Sequence, residues 1–486
     1  MTTQHAATND LTGTAATRRP ELAIAVSGLA SALVGFLAMW SSRGSDFRAS
    51  ALLGISDSEP LAGYVRTIDP GFAFVTANEH YDGVYFYTMA LDPFVQGMAH
   101  DLITMPAYRY GHPLYGWLAG ALSFGHATWL PSIFMVLTLA SMFFAGLLVA
   151  TLVFRHGGSP WWGLAVAASP GLLYSASGVL TEPLQVALTC GALLLWRNRR
   201  SNPVVLGVVL ISLCLTKEQL VLVPAALGLD LMIRTVRERR LDWGRATAVA
   251  VGPLVLGVWL WWMRGQFTPE QLHYDDGNIG MPVVGWLETF KLAVSLRRSA
   301  DPYASQIGTT ATSGLLATAV VLVIASVVAL RRRDAFGYTV VLMSLLVSCL
   351  QWRTMPYPHE MFRIPSVALL LAVALVGSHL GRRDATHTVA ESTNEDGLVL
   401  GGSSAVQPVP VGGELEDPAG RASAVADQPG GHEATGALGV ERHDAGSALG
   451  VAVLETRADD AGAEALGVDD AEVFGGGQVD DDGGAR

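Results

Sequence analysis

The chain alternates long apolar runs with short polar breaks. Ten runs are candidates for membrane-spanning helices: 22–40, 127–154, 161–180, 184–196, 203–215, 219–233, 246–263, 314–330, 337–350 and 364–380. A helix needs about 20 mainly apolar residues to cross the hydrocarbon core of a bilayer. The shorter runs therefore have to extend into neighbouring polar residues. The pattern predicts an all-α integral membrane protein with about ten transmembrane helices.

Composition supports this class. Hydrophobic residues make up 50% of the 486 positions and charged residues only 15%, which does not fit a soluble globular domain. The three cysteines, Cys190, Cys214 and Cys349, all lie inside apolar runs. They indicate neither a disulfide framework nor a zinc site.

The negative net charge belongs to the C-terminal tail. Residues 384–486 hold 21 acidic residues against 4 Lys/Arg, whereas the rest of the chain holds 22 against 27. The tail is rich in Gly, Ala, Asp and Glu, and such a composition cannot bury a core. We expect a cytoplasmic N-terminal segment at 1–20, a polytopic domain at 21–383 and a disordered acidic tail at 384–486.

The basic clusters predict the orientation, because cytoplasmic loops carry an excess of Lys and Arg. With a cytoplasmic N-terminus, every short cluster falls on the cytoplasmic side: 18–19, 155, 197–200, 234–245, 331–333 and 382–383. This requires the region 203–233 to form two spans that meet at 216–219. We therefore expect a plasma-membrane protein with both termini cytoplasmic and residues 41–112 as a large first extracytoplasmic loop.

The densest chemistry lies in that first loop, at Glu-His-Tyr-Asp-Gly-Val-Tyr-Phe-Tyr, residues 79–87. A carboxylate within reach of a sugar hydroxyl can take its proton as a general base, and Asp82 is the first candidate. Glu79 is a candidate to assist the base. His80 and Tyr85 are candidates to bind substrate. The alternative for Asp82 is a helix N-cap, because an apolar run follows it.

A second group of polar residues falls on the same predicted side. Arginine forks grip phosphates and carboxylates, and a charge at membrane depth is costly unless it serves a function. The alternatives are an arginine at headgroup level, a helix start at the Thr-Glu-Pro turn, and an internally satisfied Lys-Glu pair. The candidate substrate-binding residues of this group are Arg109, Glu182, Lys217, Glu218, Arg353, His359 and Arg363.

No metal or other cofactor is assigned from the sequence. Asp275 and Asp276 carry the oxygens that a divalent ion prefers, and a metal there stays an open alternative. An acidic doublet in a loop is, however, usually solvated.

Four short motifs resemble those of the GT-C membrane glycosyltransferases. They are Tyr-Asp-Gly-x-Tyr-Phe-Tyr at 81–87, Tyr-Arg-Tyr-x-x-Pro-Leu-Tyr at 108–115, Thr-Glu-Pro at 181–183 and Lys-Glu at 217–218. Over about residues 20–380 the chain is most similar to bacterial enzymes resembling the GPI mannosyltransferase and other polyprenyl-phosphate-mannose-dependent transferases. The resemblance implies a GT-C-like fold, a lipid-phosphate sugar donor and an inverting transfer, with Asp82 matching the first-loop aspartate. Its neighbours are Tyr81 and Gly83 rather than the second acidic residue that many members carry.

The expected function is thus transfer of a sugar, with mannose as one candidate, to an extracytoplasmic glycan or lipid acceptor. The expected partners are the lipid-linked donor, this acceptor and membrane lipids, and no nucleic acid. The rival hypothesis is a transporter or flippase whose path is lined by Glu182, Lys217 and Glu218. Against it, no internal repeat relates two halves of the chain. A third hypothesis is a membrane scaffold whose acidic tail binds partners.

Overall fold

The computed structural model describes residues 19–396, except 78–79, 273–277, 352–354 and 356–357, with side chains of the last helix as far as residue 381. The side chains of 46, 358 and 359 also lie outside the described part. Within these ranges the regular structure is helical, apart from two isolated bridges, Ser56 to Val75 and Ile279 to Leu350. The all-α expectation is confirmed.

The helices follow one another through the whole described chain. The first eight are α1 (Pro20–Arg43), α2 (Pro60–Ile68), α3 (Gly83–Leu91), α4 (Pro106–Arg109), α5 (Leu114–Leu122), α6 (Leu130–Arg155), α7 (Pro170–Ser177) and α8 (Glu182–Arg197). The others are α9 (Pro203–Thr216), α10 (Leu222–Glu238), α11 (Trp243–Arg264), α12 (Pro269–Leu272), α13 (Val284–Arg297), α14 (Pro302–Arg332), α15 (Ala335–Ser348), α16 (Pro358–Arg363) and α17 (Ser366–Asp396).

Five helical segments in the described part are long and apolar enough to cross a membrane. They are Pro20–Arg43, Ala127–Arg155, Glu218–Glu238, Trp243–Arg264 and Pro302–Arg332. Three shorter apolar helices, Pro203–Thr216, Ala335–Ser348 and Ser366–Gly381, accompany them. These are the features of an all-helical membrane protein, but the predicted count of ten spans is wrong.

Proline-containing breaks explain part of the difference. The run 161–180 is divided into a 3₁₀ turn, Pro160–Ala165, and the short helix α7. The Ser169 hydroxyl caps α7, and Pro170 occupies its first turn, where a missing N–H costs nothing. The next run, 184–196, gives α8, which ends at Arg197 after 16 residues and is shorter than the usual span.

The predicted break within 203–233 is confirmed. Helix α9 ends at Thr216, Lys217 is extended, and the 3₁₀ turn Glu218–Val221 leads into α10. Two polar side chains thereby stand where two apolar helices meet. The side of the membrane on which this turn lies stays a prediction.

Small residues allow the first helix to pack closely in the bundle. In α6, a Cβ added at Gly146 would approach the Ser31 hydroxyl of α1 to 2.4 Å and the Ser27 carbonyl to 2.5 Å. Small residues at helix interfaces let backbones approach in membranes, where van der Waals packing replaces much of the hydrophobic effect. The pair α1 and α6 therefore packs through a close approach of their backbones.

The last described helix passes the boundary predicted at 384, since α17 extends to Asp396. Adding residues to an existing helix is far easier than starting one, and the apolar first half of α17 provides that start. The rest of the predicted acidic tail, 397–486, lies outside the described residues.

Candidate functional site

Asp82 stands at the N-terminus of α3 but does not cap it. Its side chain makes no capping hydrogen bond. Instead, Oδ1 lies 3.3 Å from the Arg109 guanidinium and Oδ2 accepts a hydrogen bond of 2.9 Å from Arg363. The structure therefore removes the capping alternative and makes Asp82 the meeting point of two arginines that are distant in sequence.

Two glycines hold this turn in place. A Cβ at Gly83 would approach the Leu53 carbonyl oxygen to 2.6 Å, and a Cβ at Gly54 would approach the Tyr81 nitrogen to 2.8 Å. Gly54 also has φ +65°, which an L side chain adopts only with strain. The segment before α3 is thus pressed against the 3₁₀ turn Ala49–Leu53, and this contact fixes the direction of the Asp82 carboxylate.

Arg363 is surrounded by carboxylates from three parts of the chain. Besides Asp82, it contacts Glu360 at 2.7 Å, one turn earlier on α16, and Glu182 at 3.7 Å, at the start of α8. Its side chain is only 12% exposed. Such a buried cation is stabilised only if its donors are well paired, so Arg363 acts as the centre that joins these segments.

Close backbone packing brings α16 to this position. A Cβ at Gly171 of α7 would come within 2.0 Å of the Phe362 carbonyl oxygen. Only glycine allows that approach. This packing places the next residue, Arg363, beside the start of α8 and beside Asp82.

The charges around Asp82 strongly favour its ionised form. Burial alone would raise the pKa of the carboxyl, but the positive charges of Arg363 and then Arg109 outweigh it and hold the pKa well below its usual range. For Arg363, burial opposes the charged form, yet the three carboxylates raise its pKa well above the usual value. Both groups are charged at any physiological pH.

Arg109 is engaged much less completely than Arg363. Its carboxylate contact in the described part of the chain is Asp82, and its guanidinium lies over the Tyr85 ring at 3.7 Å from the centroid. The buried Nε has no hydrogen-bond partner, although guanidinium donors are normally satisfied when buried. Arg109 is therefore paired with fewer acceptors than Arg363.

Tyr81 reinforces the carboxylate side of the site. Its hydroxyl donates a 2.7 Å hydrogen bond to Glu360, and its ring packs edge-on against Tyr174 of α7. Burial raises the pKa of Tyr81 far above its usual value, so it remains a donor. The hydroxyl fixes the Glu360 carboxylate that in turn orients Arg363.

Lys217 and Glu218 form a second cluster next to the first. Their charged groups are 3.8 Å apart, and Glu218 lies 3.3 Å from the buried His112 ring. The Tyr108 ring lies between the two clusters, with Lys217 Nζ and the Arg109 guanidinium each 5.4 Å from its centroid. Six of the predicted residues are therefore gathered into two adjoining clusters: Asp82, Arg109, Glu182, Lys217, Glu218 and Arg363.

His80 and Tyr85 occupy the edge of this region. His80 Nδ1 pairs with Glu59 rather than with Asp82. The Tyr85 ring lies beneath Arg109, and its hydroxyl pairs with Thr104 at 3.1 Å. Tyr85 therefore supports Arg109, whereas His80 pairs with Glu59 and reaches the site only through Tyr85, whose hydroxyl lies 3.5 Å from His80 Nε2.

Several predictions lie outside the described residues and stay predictions. They concern Glu79, Arg353, the side chain of His359, and the doublet Asp275 and Asp276. Among the residues that the structure describes, no group of three or more His, Cys, Asp or Glu is arranged to hold a metal ion.

Three contributors were not selected from the sequence: Tyr81, His112 and Glu360. Glu360 carried a local signal, because residues three apart on a helix face each other and Arg363 follows it at that spacing. Tyr81 and His112 had no such signal, since their partners are remote or come from another helix. Comparison with known protein families, with curated proteins and with solved structures finds no match to this chain.

Proposed function

We propose that the protein is an inverting membrane glycosyltransferase that uses a lipid-phosphate-linked sugar donor. The observation that carries the proposal is the ion-pair arrangement at Asp82: one partly exposed carboxylate between a saturated arginine and an unsaturated one. Transfer from a phosphate-linked donor requires a carboxylate base and a cation that stabilises the leaving phosphate, and Arg109 contacts fewer carboxylates than Arg363 does.

Each side chain has a distinct role in the proposed reaction. The acceptor hydroxyl oxygen attacks the anomeric carbon from the face opposite the phosphate. As the new C–O bond forms, the bond from that carbon to the phosphate oxygen breaks, and its electrons leave with the lipid phosphate. The hydroxyl proton passes to Asp82, and Arg109 stabilises the charge that develops on the leaving phosphate.

The ion pairs of Asp82 in the unliganded site limit its strength as a base. A carboxylate with a strongly lowered pKa is a weak base, and Asp82 is in that state while both arginines face it. Binding of a phosphate to Arg109 would neutralise one of these charges. The pKa of Asp82 would then rise towards the value for an ordinary carboxyl, so donor binding itself would prepare the base.

This scheme changes the role expected for Arg363. The sequence favoured it as a phosphate ligand, but three carboxylates already occupy its donors. A phosphate would have to displace negative groups around a single positive charge. Arg363 is better suited to position Asp82, and Arg109 to bind the donor.

We place this site on the extracytoplasmic side of the plasma membrane. The placement rests on the basic residues that end α6, α8 and α14, at Arg155, Arg197 and 331–332, which the positive-inside rule assigns to the cytoplasm. The first loop, 41–112, then opens outward, where a lipid-linked donor presents its sugar.

The proposal is tested by sugar transfer from a polyprenyl-phosphate donor, measured with the purified full-length protein in lipid nanodiscs. Asp82→Asn keeps the size of the side chain but removes the proton acceptor. A positioned general base contributes about 10²–10⁴-fold, so turnover should fall by that order. Asp101→Asn is the matched control, because Asp101 is 57% exposed and pairs with His100 outside the two clusters.

Asp82→Asn also loses charge-assisted hydrogen bonds, so stability is measured in the same preparation. Equal thermal unfolding with reduced turnover supports the chemical role. Near-native turnover of Asp82→Asn would end the assignment. If the wild-type protein transfers no sugar but moves a labelled lipid-linked sugar across a proteoliposome membrane, the transporter hypothesis replaces this one.

A further inference from the structure

A cavity of about 650 Å³ adjoins the Lys217–Glu218 cluster. It is lined by residues of α10, α11 and α15 and by the segments around Tyr108 and Leu272. The volume is in the range of small-molecule sites. The apolar residues that line it include Val221, Leu222, Leu260, Met263, Ile279 and Leu346.

One end of the cavity carries a carboxylate whose pairing is weak. Glu218 lines it, and its Oε2 is buried without a hydrogen bond, as is the neighbouring His112 Nδ1. The 3.3 Å between these two atoms brings them close without a well-directed bond. Since both contacts of the Glu218 carboxylate, with His112 and Lys217, are long, a ligand in the cavity that donates a hydrogen bond to it would stabilise it.

The charged groups around the cavity favour one kind of hydrogen-bonding ligand. Lys217 lies 3.8 Å from the other Glu218 oxygen, and Arg264 also lines the cavity. A cationic ligand would be repelled by Arg264 in the lining and by Lys217 behind Glu218, and an anionic ligand would be repelled by Glu218. A neutral hydroxyl satisfies the carboxylate without either repulsion. The apolar walls, in turn, fit a hydrocarbon chain better than a free sugar.

We propose that this cavity binds a neutral, hydroxyl-bearing amphiphile, with its chain against α11 and α15 and a hydroxyl on Glu218. The Tyr108 ring separates this position from Arg109, which itself contacts Asp82. If the proposed function holds, on which this reading of the cavity rests, the amphiphile is the acceptor: one headgroup hydroxyl binds Glu218, and a second one extends past Tyr108 to Asp82, which takes its proton. The enzyme then glycosylates a lipid-anchored hydroxyl compound rather than a soluble glycan.

Binding is tested directly with decyl glucoside that carries a photoreactive diazirine in its chain. Labelled protein is digested and mapped by mass spectrometry, with label expected on the peptides of α11 and α15. Leu260→Trp fills the cavity and should lower labelling at least tenfold. Leu254→Trp, on the same helix but 64% exposed, is the matched control and should label as the wild type does.

Leu346→Trp fills the cavity from α15 instead of α11. With two such variants, a folding defect in one of them does not determine the result. Competition then tests the headgroup: unlabelled decyl glucoside should displace the probe at lower concentration than decyl phosphate or decyltrimethylammonium. Glu218→Gln replaces a charge-assisted bond by a neutral one and should weaken decyl glucoside competition about fivefold. Equal competition by all three compounds, or label that survives both tryptophans, overturns the proposal.

The labelling needs no sugar donor, so the two proposals fail separately. Asp82→Asn protein should label normally. Label without any sugar transfer by the wild type refutes the transferase alone. Transfer to lipid acceptors with no label in the cavity refutes this site alone.

Discussion

Arg109 and Arg363 both touch Asp82, yet their replacement should have different consequences. Arg363→Ala leaves Asp82, Glu182 and Glu360 clustered without the cation that joins them. Removing one partner of a buried ion pair costs about 3–5 kcal/mol. The partial exposure of Asp82, 29%, favours the lower end of that range. The main effect should be a large loss of stability.

Arg109→Ala removes one carboxylate contact, with Asp82, and two ring contacts, with Tyr85 and Tyr108. The cation–π contact with Tyr85 contributes about 0.5–2 kcal/mol, so the protein should remain folded, with a modest loss of stability. A hydrogen bond between charged groups contributes about 1.5–3 kcal/mol. Loss of such a bond to the donor phosphate should raise the donor KM about 10- to 100-fold.

The assay measures the donor KM, turnover and thermal unfolding of both variants in nanodiscs. Arg109→Lys separates charge from geometry, because the ammonium of lysine cannot reproduce the bidentate guanidinium. Compared with Arg109→Ala, it should restore the thermal stability more fully than the donor KM. Our assignment is refuted if Arg109→Ala keeps the native donor KM, or if Arg363→Ala alone weakens donor binding without loss of stability.

Two further predictions follow from the fold. Gly83→Ala should destabilise the protein and lower activity, because the added Cβ would approach the Leu53 carbonyl to 2.6 Å; unchanged thermal unfolding would contradict this packing. For orientation, Ser58→Cys and Ser299→Cys, both exposed, should react with an impermeant thiol reagent on intact cells, and Arg200→Cys should not. Reaction at Arg200→Cys, above the background of the parent protein, would reverse the predicted orientation.

The lengths of the apolar runs predicted the structure correctly where one run forms one helix. The apolar runs at 22–40 and 127–154 became α1 and α6, because a run of that length has few other ways to satisfy its backbone in lipid. The same reasoning failed at 161–180. Hydropathy counts apolar residues but does not register that Pro170 and its capping serine start a new, short helix.

The candidate site was predicted as a set of residues but not as a set of contacts. In the sequence, Asp82, Arg109 and Arg363 were each chosen as a separate candidate, because each is a charged residue in a largely apolar chain. Their pairing depends on backbone approaches such as Gly171 against Phe362, which join segments far apart in sequence. Neither composition nor spacing contains that information, so the different roles of the two arginines could be inferred only from the structure.

The ion pair between Asp82 and Arg363 joins residues 281 positions apart, and this has a consequence for biogenesis. In the proposed orientation, the first loop crosses the membrane long before α16 has been synthesised. During that interval Asp82 has at most Arg109 as a partner, and the carboxylates Asp82 and Glu182 lack the cation that joins them. A chain terminated before residue 358 should insert its early helices but never assemble the site. The site at Asp82 is thus complete only after nearly all of the membrane domain has been synthesised, and partly made chains lack it.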